Sequence, residues 1–368
     1  MSFVNKYVKR TEPYPIVSHE AWEDKSNDVL KMDWNEATIP PSPKVNKALI
    51  EAINTGKLNW YPDTCNQKLI GTISDYADVD KGNVEYFASS DVIHEIIART
   101  FIEAGDLITI VGPTYDNFRA TVEGAGGLTN FFYLNESFEL DSEKFNAFLS
   151  VYEPKLVYLC NPNNPTGTLH SLEVLEDIIS NNQNSLFLID EAYFEFSGIS
   201  AVKLAVKFDN VIVTRTLSKA FGLASVRFGY LITSYNNISY IRRVRNPKNV
   251  PMLTQVAAEA AFSDIEYMNE YVDEVKLAKQ YFIEEMNKIN KSNKFVLFNS
   301  YGNFLMIKFD QSLKNDVLAE LKKNKIYVRS YSHVVGMEDF IRFTIGKREQ
   351  MERVFNEIKR VLISHQGN

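Results

Sequence analysis

Lys219 lies in the stretch VTRTLSKAFGLASVRFGY, residues 213–230, where chemistry-bearing side chains crowd the end of an apolar run. Residues 211–217 are β-branched and apolar enough for a buried strand, and Thr216, Ser218 and Lys219 follow where that strand should stop. Open α/β sheets bind ligands beyond the carboxyl ends of their strands. Hydroxyls at 216 and 218 with the guanidinium of Arg227 can hold a phosphate, and the amine of Lys219 can condense with a carbonyl. A phosphorylated aldehyde suits this set. A strand end with Lys219 and Arg227 as solvated charges is the alternative reading of the stretch taken alone.

Other strand ends carry matching groups. SLFLIDEAY puts Asp190 directly after a buried run, where a carboxylate is costly without a cationic partner, and a protonated ring nitrogen would be one. A loop cap or an arginine pair would be the plain alternative. The turn NPNNPTG, 161–167, follows KLVYLC and presents Asn164, whose amide can donate into the same crevice or serve the turn. Ser89, Ser90 and Asp91 stand between VEYFA and an isoleucine-rich helix, with Ser90 or Asp91 expected at the N-cap; free amides there can seat a phosphate, or be capped without one. Arg329 and Arg342 lie on two apolar strands, IYVRSY and FIRFTIG, and form an anion clamp if those strands pair.

The elements that must position these groups alternate from Val84 onward as short apolar runs and helical segments. Several runs are apolar throughout, so both faces are covered, and a mostly parallel sheet flanked by helices is expected. The division expected is an arm over 1–40, a large domain over 41–250, and a linker helix with a smaller α+β domain over 251–368. Ser42–Asn54 reads as a helix with Pro43 in its first turn, and a long helical segment over 254–290 is broken near Ser263 and Asp264.

Composition bounds the function. The 368 residues are 45% apolar and 24% charged, with net charge −7. That balance argues against a nucleic-acid partner, and Arg242, Arg243 and Arg245 read as the solvated face of a helix. Cys65 and Cys160 have no CxxC partner, which argues against zinc or a disulfide framework and fits a reducing cytoplasm. The first residues have no apolar core of a signal peptide, and no run approaches the roughly 18 apolar residues of a membrane span.

In order, MDWNEATIPPSPKV, NWYPD, ASSD, GPTY, NPNNPTG, DEAY, TRTLSKAFGLASVRFGY, VRS and IRFTIG resemble the motifs of fold-type I pyridoxal-phosphate enzymes. Among these the chain resembles the class I/II aminotransferases, and the histidinol-phosphate aminotransferase group in particular, over nearly its whole length. The resemblance implies pyridoxal 5′-phosphate bound covalently by Lys219, with Asp190 on the ring nitrogen and Asn164 and Tyr193 on the phenolic oxygen. It places Ser89, Ser90, Asp91, Thr216, Ser218 and Arg227 around the phosphate and Tyr115 on the ring face. Tyr61 resembles the tyrosine that reaches the neighbouring subunit's cofactor, which implies a homodimer.

For the substrate, the resemblance assigns Arg342, Arg329, Tyr14 in EPYP, and Asn35. Here NEATIP stands for the group's NENPxG, and FASSDV for GNGSDE. Both departures fall in the pocket wall. Two transamination readings follow, with glutamate as donor: histidinol phosphate, or a smaller pair such as dihydroxyacetone phosphate and serinol phosphate. A decarboxylase of phosphoserine or phosphothreonine type would reuse the same lysine, aspartate and arginines, and a cofactor-binding protein without turnover is the third class.

Overall fold

The computed structural model describes residues 3–13, 20–290 and 293–365. Its strands form two sheets, taken here in chain order. β1 is Leu30–Met32, β2 Val84–Phe87, β3 Leu107–Gly112, β4 Leu128–Tyr133, β5 Leu156–Cys160 and β6 Leu186–Asp190. β7 is Val211–Thr216, β8 Gly229–Thr233, β9 Phe295–Phe298, β10 Phe304–Phe309, β11 Ile326–Ser330 and β12 Phe340–Thr344. The larger sheet runs β2-β8-β7-β6-β5-β3-β4, parallel from β7 to β4, with β8 antiparallel to both its neighbours. The smaller runs β1-β11-β12-β10-β9, where β1 is parallel to β11 and the rest are antiparallel.

Why the central strands are apolar throughout is visible in their alternation. Leu156, Tyr158, Leu188, Ile212 and Leu231 point to one face, where they join Ile93, Ile97, Phe118, Ile238 and Ile241. Their neighbours Val157, Leu159, Phe187, Ile189, Val213 and Ile232 point to the other, into a core continuous with that of the small sheet. Each fully buried aliphatic side chain contributes about 1.5–3 kcal/mol, so neither face tolerates the polar alternation of a half-solvated sheet.

Local signals set the helix ends. Ser42 caps the helix Pro43–Asn54, its Oγ accepting from the Lys44 amide at 3.1 Å, a contact of the order of 1 kcal/mol. The long helical segment is two helices, Met252–Phe262 and Ile265–Ile289, separated at Ser263 and Asp264. Lys44 ion-pairs with Asp264 at 2.9 Å and ties the break to the first of these caps.

The arginine cluster departs from its expected solvated role. Arg242 and Arg245 clamp the two carboxylate oxygens of buried Glu85 at 2.8 and 2.7 Å, because that strand carboxylate needs cationic partners once it is covered. Arg243 stays exposed beside Tyr240. Among the described residues, no helix is long and apolar enough to cross a membrane.

Candidate active site

Parallel pairing of β5, β6 and β7 brings three loops to one edge of the sheet. Cys160 is in register with Asp190, and Asp190 with Thr214, so the turn with Asn164, the carboxylate of Asp190 and the Lys219 loop leave adjacent strand ends. Lys219 Nζ donates to the Trp34 carbonyl at 2.8 Å and lies 5.8 Å from the Tyr193 ring centre. Burial, followed by the nearby Arg342 guanidinium, lowers its pKa to about 8. An ammonium held at a carbonyl in a low-dielectric site loses hydration, so a usable fraction of free amine exists near neutral pH. Beside it Gly222 adopts φ +69°, a left-handed conformation that favours glycine, where the loop turns under the 37–41 segment.

Asp190 is 4% exposed, and burial raises its pKa. The Ala192 amide donates to Oδ1 and the Tyr158 hydroxyl to Oδ2, both at 3.1 Å. His94 Nε2 stands 3.6 Å from the same Oδ2. No arginine pairs with Asp190 among the described residues, which removes that alternative. Tyr158 and His94 were not singled out by sequence reasoning. The available signal was a histidine inside an isoleucine-rich helix face.

Tyr193 is buried, and its hydroxyl accepts from Asn35 Nδ2 at 3.0 Å; burial raises its pKa. Asn35 is thus tied to Tyr193 rather than standing apart with the substrate side chains. It has φ 56° and an unpartnered buried Oδ1. The Asn164 carbonyl oxygen accepts from Arg342 Nη1 at 2.5 Å, leaving its amide N–H group to donate elsewhere. Tyr193 and Asn164 therefore bring two polar groups beside Lys219.

The anion seat differs in detail from the expected one. The N-cap of the helix Ser90–Phe101 is Ser89, not Ser90 or Asp91. Ser89 adopts φ 96°, which allows its Oγ to face the Val92 amide at 3.5 Å and leaves Ser90 and Asp91 in the first turn, where amides have no intrahelical acceptor. The Asp91 carboxylate gathers Arg227 Nη2 at 2.7 Å, the Tyr115 hydroxyl at 3.2 Å and Asn117 Nδ2 at 3.3 Å. Asp91 thereby steers Arg227 and Tyr115 with its side chain. Thr216 Oγ1 lies 2.8 Å from Ser218 Oγ and 3.0 Å from the Phe228 carbonyl, and it accepts from the Ser218 amide. Thr216 shapes the Lys219 loop, and the Ser218 hydroxyl is the one left to donate. Gly229 runs under this seat, where a Cβ would come within 2.7 Å of Ser89 C and Ser90 N.

Donors at one end, an amine in the middle and a buried carboxylate at the other fit a phosphorylated pyridine aldehyde. The donor set of Ser90, Ser218, Arg227 and first-turn amides matches a phosphate. Asp190, without a cation other than the neighbouring histidine, matches a protonated ring nitrogen.

Arg329 and Arg342 are register partners on β11 and β12. They are 9% and 6% exposed, which excludes solvated strand arginines. Arg342 Nη2 donates to the Asp33 carbonyl at 2.5 Å, Nη1 donates to Asn164, and its buried Nε has no partner among the described residues. A buried cation held by neutral groups alone is short of an anion. Tyr14 lies outside the described residues. Tyr61 is 77% exposed under Lys248 Nζ, which sits 4.2 Å over its ring, on the surface of this chain.

The fold and this arrangement of groups define a pyridoxal-phosphate-dependent transaminase. The chain belongs to the aminotransferase class I and II family, which it matches over residues 27–358. It is 42% identical over 357 residues to a dihydroxyacetone phosphate transaminase of Campylobacter jejuni, covering 96% of each chain. It is 32% identical to a histidinol-phosphate aminotransferase of Ruminiclostridium cellulolyticum, over 89% of this chain and 91% of that one. Among solved structures, the histidinol-phosphate aminotransferase of Sinorhizobium meliloti in complex with pyridoxal-5′-phosphate superimposes with a TM-score of 0.87 at 24% identity, over 99% and 98% of the two chains.

Proposed function

We propose that this chain moves an amino group between an amino acid donor, glutamate, and a small phosphorylated ketone, with dihydroxyacetone phosphate and serinol phosphate as the pair. The observation that carries this reading is the pair Arg329 and Arg342, two buried guanidiniums on one sheet face, with Arg342 near Lys219 and without an anionic partner among the described residues. Identity supports the smaller substrate: 42% to a relative named for dihydroxyacetone phosphate, against 32% to one named for histidinol phosphate. The departures at 36–41 and 87–92 fall around the Trp34–Lys219 contact and the Ser89 cap, where pocket shape is decided.

Pyridoxal phosphate, when bound, supplies the electron sink that lets the substrate Cα–H bond break. Asp190 would accept from its ring nitrogen and favour that nitrogen's protonated form. Tyr193 and Asn164 would donate to the phenolic oxygen, and Tyr115 would cover a ring face. Ser90, Ser218, Arg227 and the amides after Ser89 hold the phosphate. Lys219 would hold the cofactor through its amine and would carry the substrate Cα proton as general base and acid. Arg342 takes the donor's carboxylate or the acceptor's phosphate, and Arg329 assists with the phosphate. The decarboxylase reading has no observation in its favour, since the L-threonine-O-3-phosphate decarboxylase of Porphyromonas gingivalis shares the fold at 18% identity.

Exposed Leu58, Trp60 and Tyr61 support a homodimer in which Tyr61 completes the partner's site. Sedimentation velocity checks the dimer. The substrate is tested with a panel of phosphorylated ketones at fixed glutamate, scored by kcat/KM. Dihydroxyacetone phosphate is expected to rank first, and a higher kcat/KM for the ketone of histidinol phosphate would overturn the assignment.

A further inference from the structure

We propose that His94 is a positioning residue for the cofactor's ring nitrogen: from the helix whose first turn seats the phosphate, it holds the Asp190 carboxylate in place. The two ends of the cofactor site are then set by one rigid element. The helix Ser90–Phe101 presents its free amides at its start, and His94 follows one turn later, a rise of about 6 Å, below Asp190.

Three observations separate this role from packing. His94 is 1% exposed, and apart from the Asp190 carboxylate at 3.6 Å neither ring nitrogen has a partner. Its ring is fitted edge-on between Phe118 and Tyr158, with centroids 5.3 and 5.7 Å away. An aliphatic side chain would fill that space without the cost of about 1–3 kcal/mol for burying an unpaired polar group, and the adjacent Ile93, Ile96 and Ile97 show what the helix uses elsewhere. A carboxylate offers about four acceptor positions. The Ala192 amide and the Tyr158 hydroxyl take two, and the His94 imidazole faces Oδ2 from 3.6 Å, which leaves acceptor capacity for one ring N–H of the cofactor.

The charged and titratable groups around the pair are few. Tyr158 and Cys160 come from β5, Asp190 itself from β6 with Tyr193 in the loop after it, Asp91 from the same helix as His94 and Tyr115 from the loop after β3, while the Phe118 helix contributes a neutral ring. The neighbouring His94 imidazole opposes the upward effect of burial on Asp190. Without the imidazole, Asp190 should take up a proton at higher pH and lose its hold on the ring nitrogen.

The test uses the full chain, stripped of cofactor and titrated with pyridoxal phosphate. His94→Phe keeps an aromatic ring but no donor, and His94→Leu gives the same reading if a larger ring is not accommodated. Expected are a pyridoxal phosphate Kd raised roughly ten- to a hundredfold, as for hydrogen bonds to a charged group, and an acid limb of kcat moved to higher pH. The Tm of the cofactor-free protein should stay near wild type, and His94→Gln, which restores an N–H donor, should recover most of the affinity. An unchanged Kd with an unmoved acid limb overturns the proposal. So does a lower cofactor-free Tm at unchanged affinity, or failure of all three variants to fold, since each makes His94 a packing residue. Because these readouts need no ketone, they do not depend on which phosphorylated substrate is correct.

Discussion

Arg329 and Arg342 are Cα partners across the antiparallel β11–β12 ladder, so both guanidiniums leave the same face of the small sheet, 6.0 and 5.9 Å from the Tyr331 ring centre. Like charges directly opposite one another are unfavourable in a sheet. An anion bound between them would turn repulsion into a two-sided clamp. Arg329→Gln should therefore raise KM for the phosphorylated substrate by roughly ten- to a hundredfold, the worth of a charge-assisted contact. Steady-state kinetics with each substrate varied in turn checks this, and kcat with glutamate should stay close to wild type.

Arg342 also bears on the amine. Its charge is the second cause, after burial, of the low Lys219 pKa of about 8. Arg342→Gln should raise that pKa, so the acid limb of kcat moves to higher pH while the basic side is little changed. A pH–rate profile of the variant at saturating substrate measures the displacement.

Lys219 is predicted to destabilise the cofactor-free protein at neutral pH. Its pKa is about 8 in the folded chain against 10.5 ordinarily, so between these values the unfolded chain binds more protons and stability rises with pH. Below about pH 8 the penalty is present in full, and above 10.5 it is gone. Cofactor-free Lys219→Met should be more stable than wild type at pH 7, with the gap closing as pH approaches 10.5. Urea denaturation of both proteins at several pH values tests the sign, and the same variant should have no turnover.

Gly229 is the least replaceable residue under the phosphate seat. A Cβ would lie 2.7 Å from Ser89 C and Ser90 N, both backbone atoms that cannot move aside without shifting the helix start. Gly229→Ala should cost roughly 1–3 kcal/mol, as overpacking does, and weaken pyridoxal phosphate binding as well. Thermal denaturation with and without the cofactor separates the two effects.

Much of the site was legible because strand ends are local features. Apolar runs that stop at Cys160, Asp190 and Leu217 announce the sheet edge, and the polar residues after them must meet there once the strands pair in parallel. Side-chain geometry was less accessible. The cap is expected at Ser90 or Asp91, yet the φ of 96° at Ser89 moves it one residue earlier and leaves the next two amides in the first turn. Arg242 and Arg245 read as surface charge because their partner, Glu85, is on a strand more than a hundred residues earlier.

By itself the sequence determined the alternation of buried strands and helices, the helix beginning near Ser42 and Pro43, and the placement of Asn164, Asp190 and Lys219 just beyond strand ends. These follow from hydrophobic periodicity and backbone satisfaction, which act between near neighbours. Tertiary structure alone decided that Asn35 would hold Tyr193, that Arg342 would reach Asn164 across 178 residues, and that His94 would stand behind Asp190. Each is a contact between elements distant in the chain. Its partner is selected by strand order and by how two sheets pack, and a pattern read along the chain carries no term for either.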